Sequence, residues 1–164
     1  MIGLRNVRSS DLPELKEIAS TAFKHHRYWL DAKLDQERVK EYYIKDLEKL
    51  VSDALNNPEE NNFIVLTDGD KIVGYIALRI DAVLTTTFGF KWGLISSFAL
   101  REDYRMRGVG SKALREALEW FKGKGVSRVD VWTDSENIAA IQCYEKLGFR
   151  TIYCGVVLTL NLAY

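Results

Sequence analysis

The sequence predicts a mixed α/β fold, and three observations carry that expectation. Its patterns run strand, two helices, an antiparallel stretch, then strand, helix, strand, helix, strand. Trp92 to Leu100 is nearly continuous apolar sequence, as expected of a central strand covered on both faces. The 164 residues, 47% hydrophobic and 28% charged, suffice for one core without disulfides or a structural metal. No linker, repeat or low-complexity tract divides them, so a single domain over residues 1–164 is expected.

Ile2 to Arg8 reads as a short strand. Asp11-Leu12-Pro13-Glu14 then offers an N-cap carboxylate, a proline in the first turn and a glutamate at N3. Leu12, Leu15, Ile18, Ala19, Ala22 and Phe23 give that helix one apolar face to about residue 23. Val39, Tyr43, Leu47, Leu50, Val51, Ala54 and Leu55 repeat the period in a second helix, which Asn56-Asn57-Pro58 stops. Phe63 to Thr67, the turn Asp68-Gly69-Asp70 and Lys71 to about Asp81 read as a hairpin. Thr85-Thr86-Thr87 marks a loop or irregular edge before the central strand. Val109, Ala113, Leu114, Ala117, Leu118 and Phe121 then share one face of a helix ending at Gly123 and Gly125. Ser127 to Thr133 reads as a strand, Asn137 to Leu147 as a helix closed by Gly148, and Phe149 to Leu162 as one or two final strands around Gly155.

Lys+Arg and Asp+Glu both number 23, so the formal net charge is zero and gives no support to a nucleic-acid or membrane-surface role. Cys143 and Cys154 have no companion at metal-ligand spacing, which speaks against zinc and for small buried thiols. The start has no apolar signal region and no stretch reaches the length of a spanning helix. The expectation is a soluble, cytoplasmic protein.

The most informative stretch runs from Leu100 to Ser111, with Gly108 and Gly110 where a helix opens. From Arg101 to Arg115 there are five basic residues (Arg101, Arg105, Arg107, Lys112, Arg115) and two acidic ones (Glu102, Asp103), a local excess of +3. The N–H groups and positive dipole end of a helix N-terminus suit a phosphate, and glycines let it approach the backbone. A Walker loop is excluded, because Ser111-Lys112 stand in reversed order and no glycine lies five positions before Gly110. The dinucleotide fingerprint is formally met by Gly108, Gly110 and Ala113, with Asp130 twenty residues after Gly110. Seven mostly polar residues separate strand from first glycine, however, and the 54 residues after Gly110 are too few for a doubly wound sheet.

Arg105-x-x-Gly108-x-Gly110, after a strand ending Phe98-Ala99-Leu100, resembles motif A of the GCN5-related N-acetyltransferase (GNAT) family. Asn137-Ile138-Ala139-Ala140-Ile141-Gln142-Cys143-Tyr144-Glu145-Lys146-Leu147-Gly148-Phe149 resembles the family's motif B. The resemblance follows the whole chain in element order and is specific over about residues 94 to 151. It implies a single mixed-sheet domain of the acyl-CoA N-acyltransferase fold, whose central strands, ending near Leu100 and Thr133, part to admit a ligand. It implies acetyl-coenzyme A (acetyl-CoA) as co-substrate and no metal. Backbone N–H groups of Arg105, Met106, Arg107, Gly108, Val109, Gly110 and Ser111 would cradle the pyrophosphate. Phe98 and Leu100 would offer main-chain hydrogen bonds to the pantetheine arm, as in strand addition. Asn137 would touch the pantetheine or pyrophosphate region, and Tyr144 would stand near the sulfur and protonate the departing thiolate. Asn137, Ala140, Tyr144 and Leu147 keep one helix face, whereas Cys143 is turned about 100° from Tyr144 and is not a nucleophile candidate.

Many relatives carry a carboxylate on the central strand, and Trp92 to Leu100 contains none. Asp81 acting through water, His25, His26 and water alone stand as alternatives for the base. At pH 7 an amine of pKa about 10.4 loses roughly 4.6 kcal/mol to protonation, against about 1.4 for one of pKa about 8, so a poorly equipped site favours the weaker base. The resemblance places acceptor recognition in the first helices and their connection. Here His25, His26, Arg27, Tyr28, Trp29, Arg38 and Tyr42-Tyr43 combine aromatic faces with charge. The acceptors in view are an amino sugar on a nucleotide, a protein or peptide α-amine, and a small-molecule amine; Tyr28 and Trp29 serve equally as packing under the loop or as a homodimer contact. The rival reading of the whole chain is a catalytically idle acetyl-CoA sensor, against which the retained Tyr144 argues. Nucleic-acid binding through the basic loop lacks interleaved aromatics.

Overall fold

The computed structural model describes residues 1–22 and 34–152. These fall into two compact units, Met1–Trp132 and a second beginning at Thr133.

The first unit is a five-stranded mixed sheet in chain order. Strand β1 (Ile2–Asn6) leads through a single 3-10 turn (Ser9–Asp11) into α1 (Leu12–Ala22). The expected N-cap at Asp11 is corrected here. Asp11 closes the 3-10 turn by accepting the Arg8 N–H (2.8 Å), and its carboxylate is gripped by both terminal nitrogens of Arg5 at 2.7 and 2.8 Å. A partner six residues upstream in a strand outcompeted the local cap. Helix α2 (Gln36–Asn56) opens on Asp35, whose carboxylate accepts from the N–H groups of Glu37 and Arg38.

The hairpin forms as expected from β2 (Asn61–Asp68) and β3 (Lys71–Ile80), with Gly69 at φ +59 in the turn. The stretch through Thr85-Thr86-Thr87, expected as a loop or edge, is instead helix α3 (Ala82–Phe88). Asp81 caps it through the Leu84 N–H, Gly89 ends it in the left-handed region, and the Thr85 hydroxyl accepts the Trp92 N–H at 3.0 Å. These tertiary bonds override threonine's weak helix propensity.

β4 (Trp92–Leu100) occupies the expected range and pairs antiparallel with β3. A 3-10 turn (Glu102–Tyr104) then precedes α4 (Val109–Gly123) and β5, which covers Arg128–Val131 rather than Ser127 to Thr133. Helices α1 and α2 bury Leu15, Ile18, Leu47 and Val51 against Phe63, Val65, Tyr75, Ala77 and Ala99. The alternate residues Ile64, Leu66, Ile76 and Leu78 face the other side, where α4 supplies Leu114, Ala117 and Phe121. Approach there is close, since a Cβ on Gly93 would stand 2.6 Å from the Phe121 ring.

In the second unit, α5 (Ile138–Glu145) starts at Asn137 and ends toward Gly148 at φ +93. Phe149 to Ile152 form no strand, which corrects that part of the final-strand expectation, and residues 153–164, with Cys154, lie outside the described residues. His25, His26, Arg27, Tyr28 and Trp29 lie outside them too.

Candidate functional site

The site begins where the two parallel strands separate. β4 and β5 pair from Trp92↔Arg128 to Ile95↔Val131, and among the described residues β4 then continues alone on that side through Ser96 to Leu100. Ser96 is also the extra residue of a β-bulge, because Ala77 pairs with Ser97 while Leu78 pairs with Ile95. The bulge re-aims β4 at the point of separation. The expectation that this strand is covered on both faces therefore holds for Trp92 to Ile95 only in the main, and fails beyond them: Ser96, Ser97, Phe98 and Leu100 are half-exposed. A strand edge bearing unpaired N–H and C=O groups is a template for a ligand with peptide-like amides.

The open half of β4 delivers the chain into the glycine loop. Arg101 N–H donates to the Val73 carbonyl and its guanidinium grips Glu17 of α1 at 3.0 and 3.1 Å, so this arginine serves the scaffold. Tyr104 donates to Asp68 at 3.1 Å, and the Lys112 ammonium donates to the Ile2 carbonyl, which fixes the loop to the β2–β3 turn and to β1. Of the five cations counted in the sequence, Arg101 and Lys112 are thus committed. Arg105 folds back to donate from Nε to the Leu100 carbonyl (3.3 Å), and the Arg107 guanidinium lies 5.9 Å from the Tyr104 ring centre.

Met106 has φ +58 and Gly108 has φ +76, after which Val109 begins the helix. A left-handed residue followed by a right-handed one turns successive amides to one side, the form of an anion-binding nest. The first α4 bond runs from Lys112 N–H to the Gly108 carbonyl (3.1 Å), and the N–H groups of Val109 and Gly110 stand at the helix start before it. The two glycines differ. Among the described residues nothing lies within 4 Å of a Cβ on Gly108, whose requirement is conformational, whereas a Cβ on Gly110 would meet the Phe98 ring at 3.4 Å and Leu100 at 3.6 Å. Gly110 sets how closely α4 approaches the open strand, and it needs no left-handed backbone.

Phe98, Leu100 and the segment Arg105 to Ser111 are therefore brought together at one end of β4. Asn137 and Tyr144 stand in the second unit. Asn137 caps α5, accepting the Ala140 N–H (3.3 Å) and donating to the Thr133 hydroxyl (3.2 Å). Tyr144 is buried, its ring 5.7 Å from that of Phe149, and burial, with the Cys143 thiol adding to it, pushes its hydroxyl up to about 12. It stays protonated throughout the neutral range, as a proton donor must.

Asp81 is placed away from this end. It caps α3, pairs with Arg79 at 3.2 Å, and bonds through its N–H to the Trp92 carbonyl at the start of β4. Asp130, the acid that mimicked a dinucleotide motif, accepts from Arg128 on its own strand at 2.9 Å. Among the described residues no cluster of His, Cys, Asp or Glu could hold a metal, and no helix is long and apolar enough to cross a membrane.

Two polar features escaped the sequence reading. The Ser96 hydroxyl is buried without a hydrogen-bond partner among the described residues, an orphan at the fork that a ligand carbonyl or amide would satisfy. Asp46 is a half-buried carboxylate on α2. Their signals were present: a Ser-Ser pair inside an apolar strand, and an acid within a core-facing helical row. The open edge, the nest and the orphan hydroxyl together fit the pantetheine and pyrophosphate of coenzyme A.

Comparison with known proteins agrees with this geometry. The chain is 28% identical over 120 residues to N-alpha-acetyltransferase 30 of Schizosaccharomyces pombe, covering 65% of this chain and 77% of that one. It is 27% identical over 148 residues to an uncharacterized N-acetyltransferase of Methanocaldococcus jannaschii, where 90% of this chain spans 60% of the relative. The PaiA N-acetyltransferase of Thermoplasma acidophilum, solved in complex with coenzyme A, superposes with a TM-score of 0.71 at 22% identity, over 92% of this chain and 90% of that one. The family model for acetyltransferases of the GNAT family matches residues 12–149. The forked β4–β5 pair and the glycine loop beside it are thus the local expression of a pattern that runs through most of the sequence, and the chain belongs to the GNAT family of acetyltransferases.

Proposed function

We propose that this protein transfers the acetyl group of acetyl-CoA directly to a primary amine, as a single N-acetyltransferase domain. The observation that carries the reading is the open half of β4, Ser96 to Leu100, leading into the loop whose amides gather at Gly108. Phe98 and Leu100 hold the pantetheine arm by main-chain hydrogen bonds. Amides from Arg105, Met106, Arg107, Gly108, Val109, Gly110 and Ser111 hold the pyrophosphate, and Asn137 contacts the arm from α5. A neutral amine attacks the thioester carbonyl, the C–S bond breaks, and Tyr144 gives its proton to the thiolate.

Among acceptors, an α-amine suits the site best. Its pKa near 8 leaves about a tenth of it neutral at pH 7, and one relative is named for α-amine acetylation. Incubation of the protein with acetyl-CoA and a panel of amines, following free thiol release and identifying the product by mass, tests the reading. Acetylated amine matched by released thiol is expected. Coenzyme binding without turnover on any amine would leave only the sensor.

A further inference from the structure

The central strand brings no acid to the fork, and Asp81 is committed to its cap and to Arg79. One carboxylate does face the α1/α2 side of the sheet beside it. Asp46 stands in a helical row with Tyr43 and Leu50, on the flank of α2 that also buries Leu47 and Val51. Among the described residues it forms no ion pair or hydrogen bond, although it is half-buried. Its helix neighbours Leu47 and Val51 are buried in one cluster with Tyr75 and Ala77 of β3, and its charge acts on the Tyr75 hydroxyl and is acted on by Arg79. Ala77 pairs with Ser97, the first rung after the bulge. Ser97 in turn donates to the Tyr75 hydroxyl at 3.3 Å. A polar line from Ser97 through Tyr75 toward Asp46 thus leaves the fork on the face opposite α4.

We propose that Asp46 is the base of the acetyl transfer, receiving the proton that the acceptor's ammonium gives up at the fork. This rests on the acetyltransferase reading above. An unpaired carboxylate in a core-facing row costs stability, and a cation that visits it during turnover accounts for its presence. The ammonium gives one proton to the carboxylate and becomes a neutral amine; the nitrogen lone pair forms the C–N bond. The second proton leaves nitrogen as the C–S bond breaks, and the departing sulfur takes up one, so acetyl transfer releases one proton net. Burial pushes the Asp46 carboxyl up, while Lys49 on its own helix and Arg79 on β3 oppose the rise. Tyr75, pushed far up by its own burial, stays neutral and adds no charge. Among the described residues, α1 and β2, which also pack on α2, add no charged group to this balance. The net upward shift brings the carboxyl nearer to an amine and makes it a better proton acceptor.

The test compares wild type, Asp46→Asn and Asp46→Glu with acetyl-CoA and three probes: a tetrapeptide with a free α-amine, glucosamine and spermidine. At pH 7 Asp46→Asn should lose up to about tenfold in kcat/KM with the tetrapeptide, whose α-amine is already about a tenth neutral, and roughly 10²-fold or more with spermidine, whose lysine-like amines are far less so. Its Kd for acetyl-CoA should stay that of wild type, and its Tm should not fall, since the substitution removes an unpaired charge. The deficit should shrink about tenfold per pH unit as pH rises toward the acceptor's own pKa, where the amine needs no base. Asp46→Glu should recover part of the activity and the wild-type pH profile. A pH-independent loss, a loss that tracks a lowered Tm, or undiminished activity in Asp46→Asn overturns the assignment while leaving the acetyltransferase reading intact. Failure of wild type to acetylate any of the three overturns both.

Discussion

Ile95 faces Val131 in the last rung of the parallel ladder, and β4 runs on past it to Leu100 along an edge that β5 has left. Backbone groups on such an edge must find a partner, and a pantetheine arm supplies amides at strand spacing. Hydrogen exchange should therefore slow at least about tenfold across Ser96 to Leu100 when acetyl-CoA is added, with β1 and β2 unchanged. Equal exchange with and without acetyl-CoA would remove the edge from the binding site.

The two loop glycines should separate in mutants. Gly108→Val forces a branched side chain into the left-handed region and disturbs the amides of the nest, so acetyl-CoA affinity measured by calorimetry should fall at least about tenfold. Gly110→Ala adds only a methyl in ordinary contact with Phe98 and Leu100, and should bind within about threefold of wild type. Lys122→Ala, on the exposed far end of α4, is the neutral control.

Tyr144→Phe removes one hydroxyl and keeps the buried ring. Single-turnover acetyl transfer should slow by roughly 10²- to 10⁴-fold if thiolate protonation limits the step, with the Kd for acetyl-CoA unchanged. Because burial holds the hydroxyl near pH 12, wild type should show no loss of proton donation between pH 6 and 10. Equal single-turnover rates would return Tyr144 to a packing role.

Asp11 gives a stability prediction with a defined sign. The Arg5 hydrogen bonds, aided by the Arg8 N–H and opposed by burial, hold its carboxyl below the usual range. A depressed folded value means that this stabilisation is present above the unfolded value near 3.9 and is lost as pH falls through the folded one. Asp11→Asn should lower unfolding free energy by about 2 kcal/mol at pH 7, since it leaves the half-covered Arg5 without its charge partner. The difference from wild type should narrow in urea unfolding as pH falls below the unfolded value near 3.9. A constant difference down to pH 2 would mean that shape rather than charge holds this corner.

Local chemistry made much of the molecule legible in its sequence. β4 was readable to the residue because nine apolar-rich positions sit between turn signals, and the start of α4 because Gly108 must break the backbone before Val109. The start of the helix at Asn137 was readable for the same reason: the cap bond that Asn137 makes reaches only three residues. Tertiary structure decided the rest. Thr85 became helical because Asp81 and Trp92 hold the segment from both sides, and Asp11 left its cap for an arginine on β1. The fork at Ile95, the orphaned Ser96 hydroxyl and the burial of Asp46 depend on where β5 stops and on how α2 lies on the sheet. Periodicity and turn chemistry act over a few residues, whereas the partner of a strand edge and the desolvation of a charge are set by segments tens of residues away, and no local pattern encodes them.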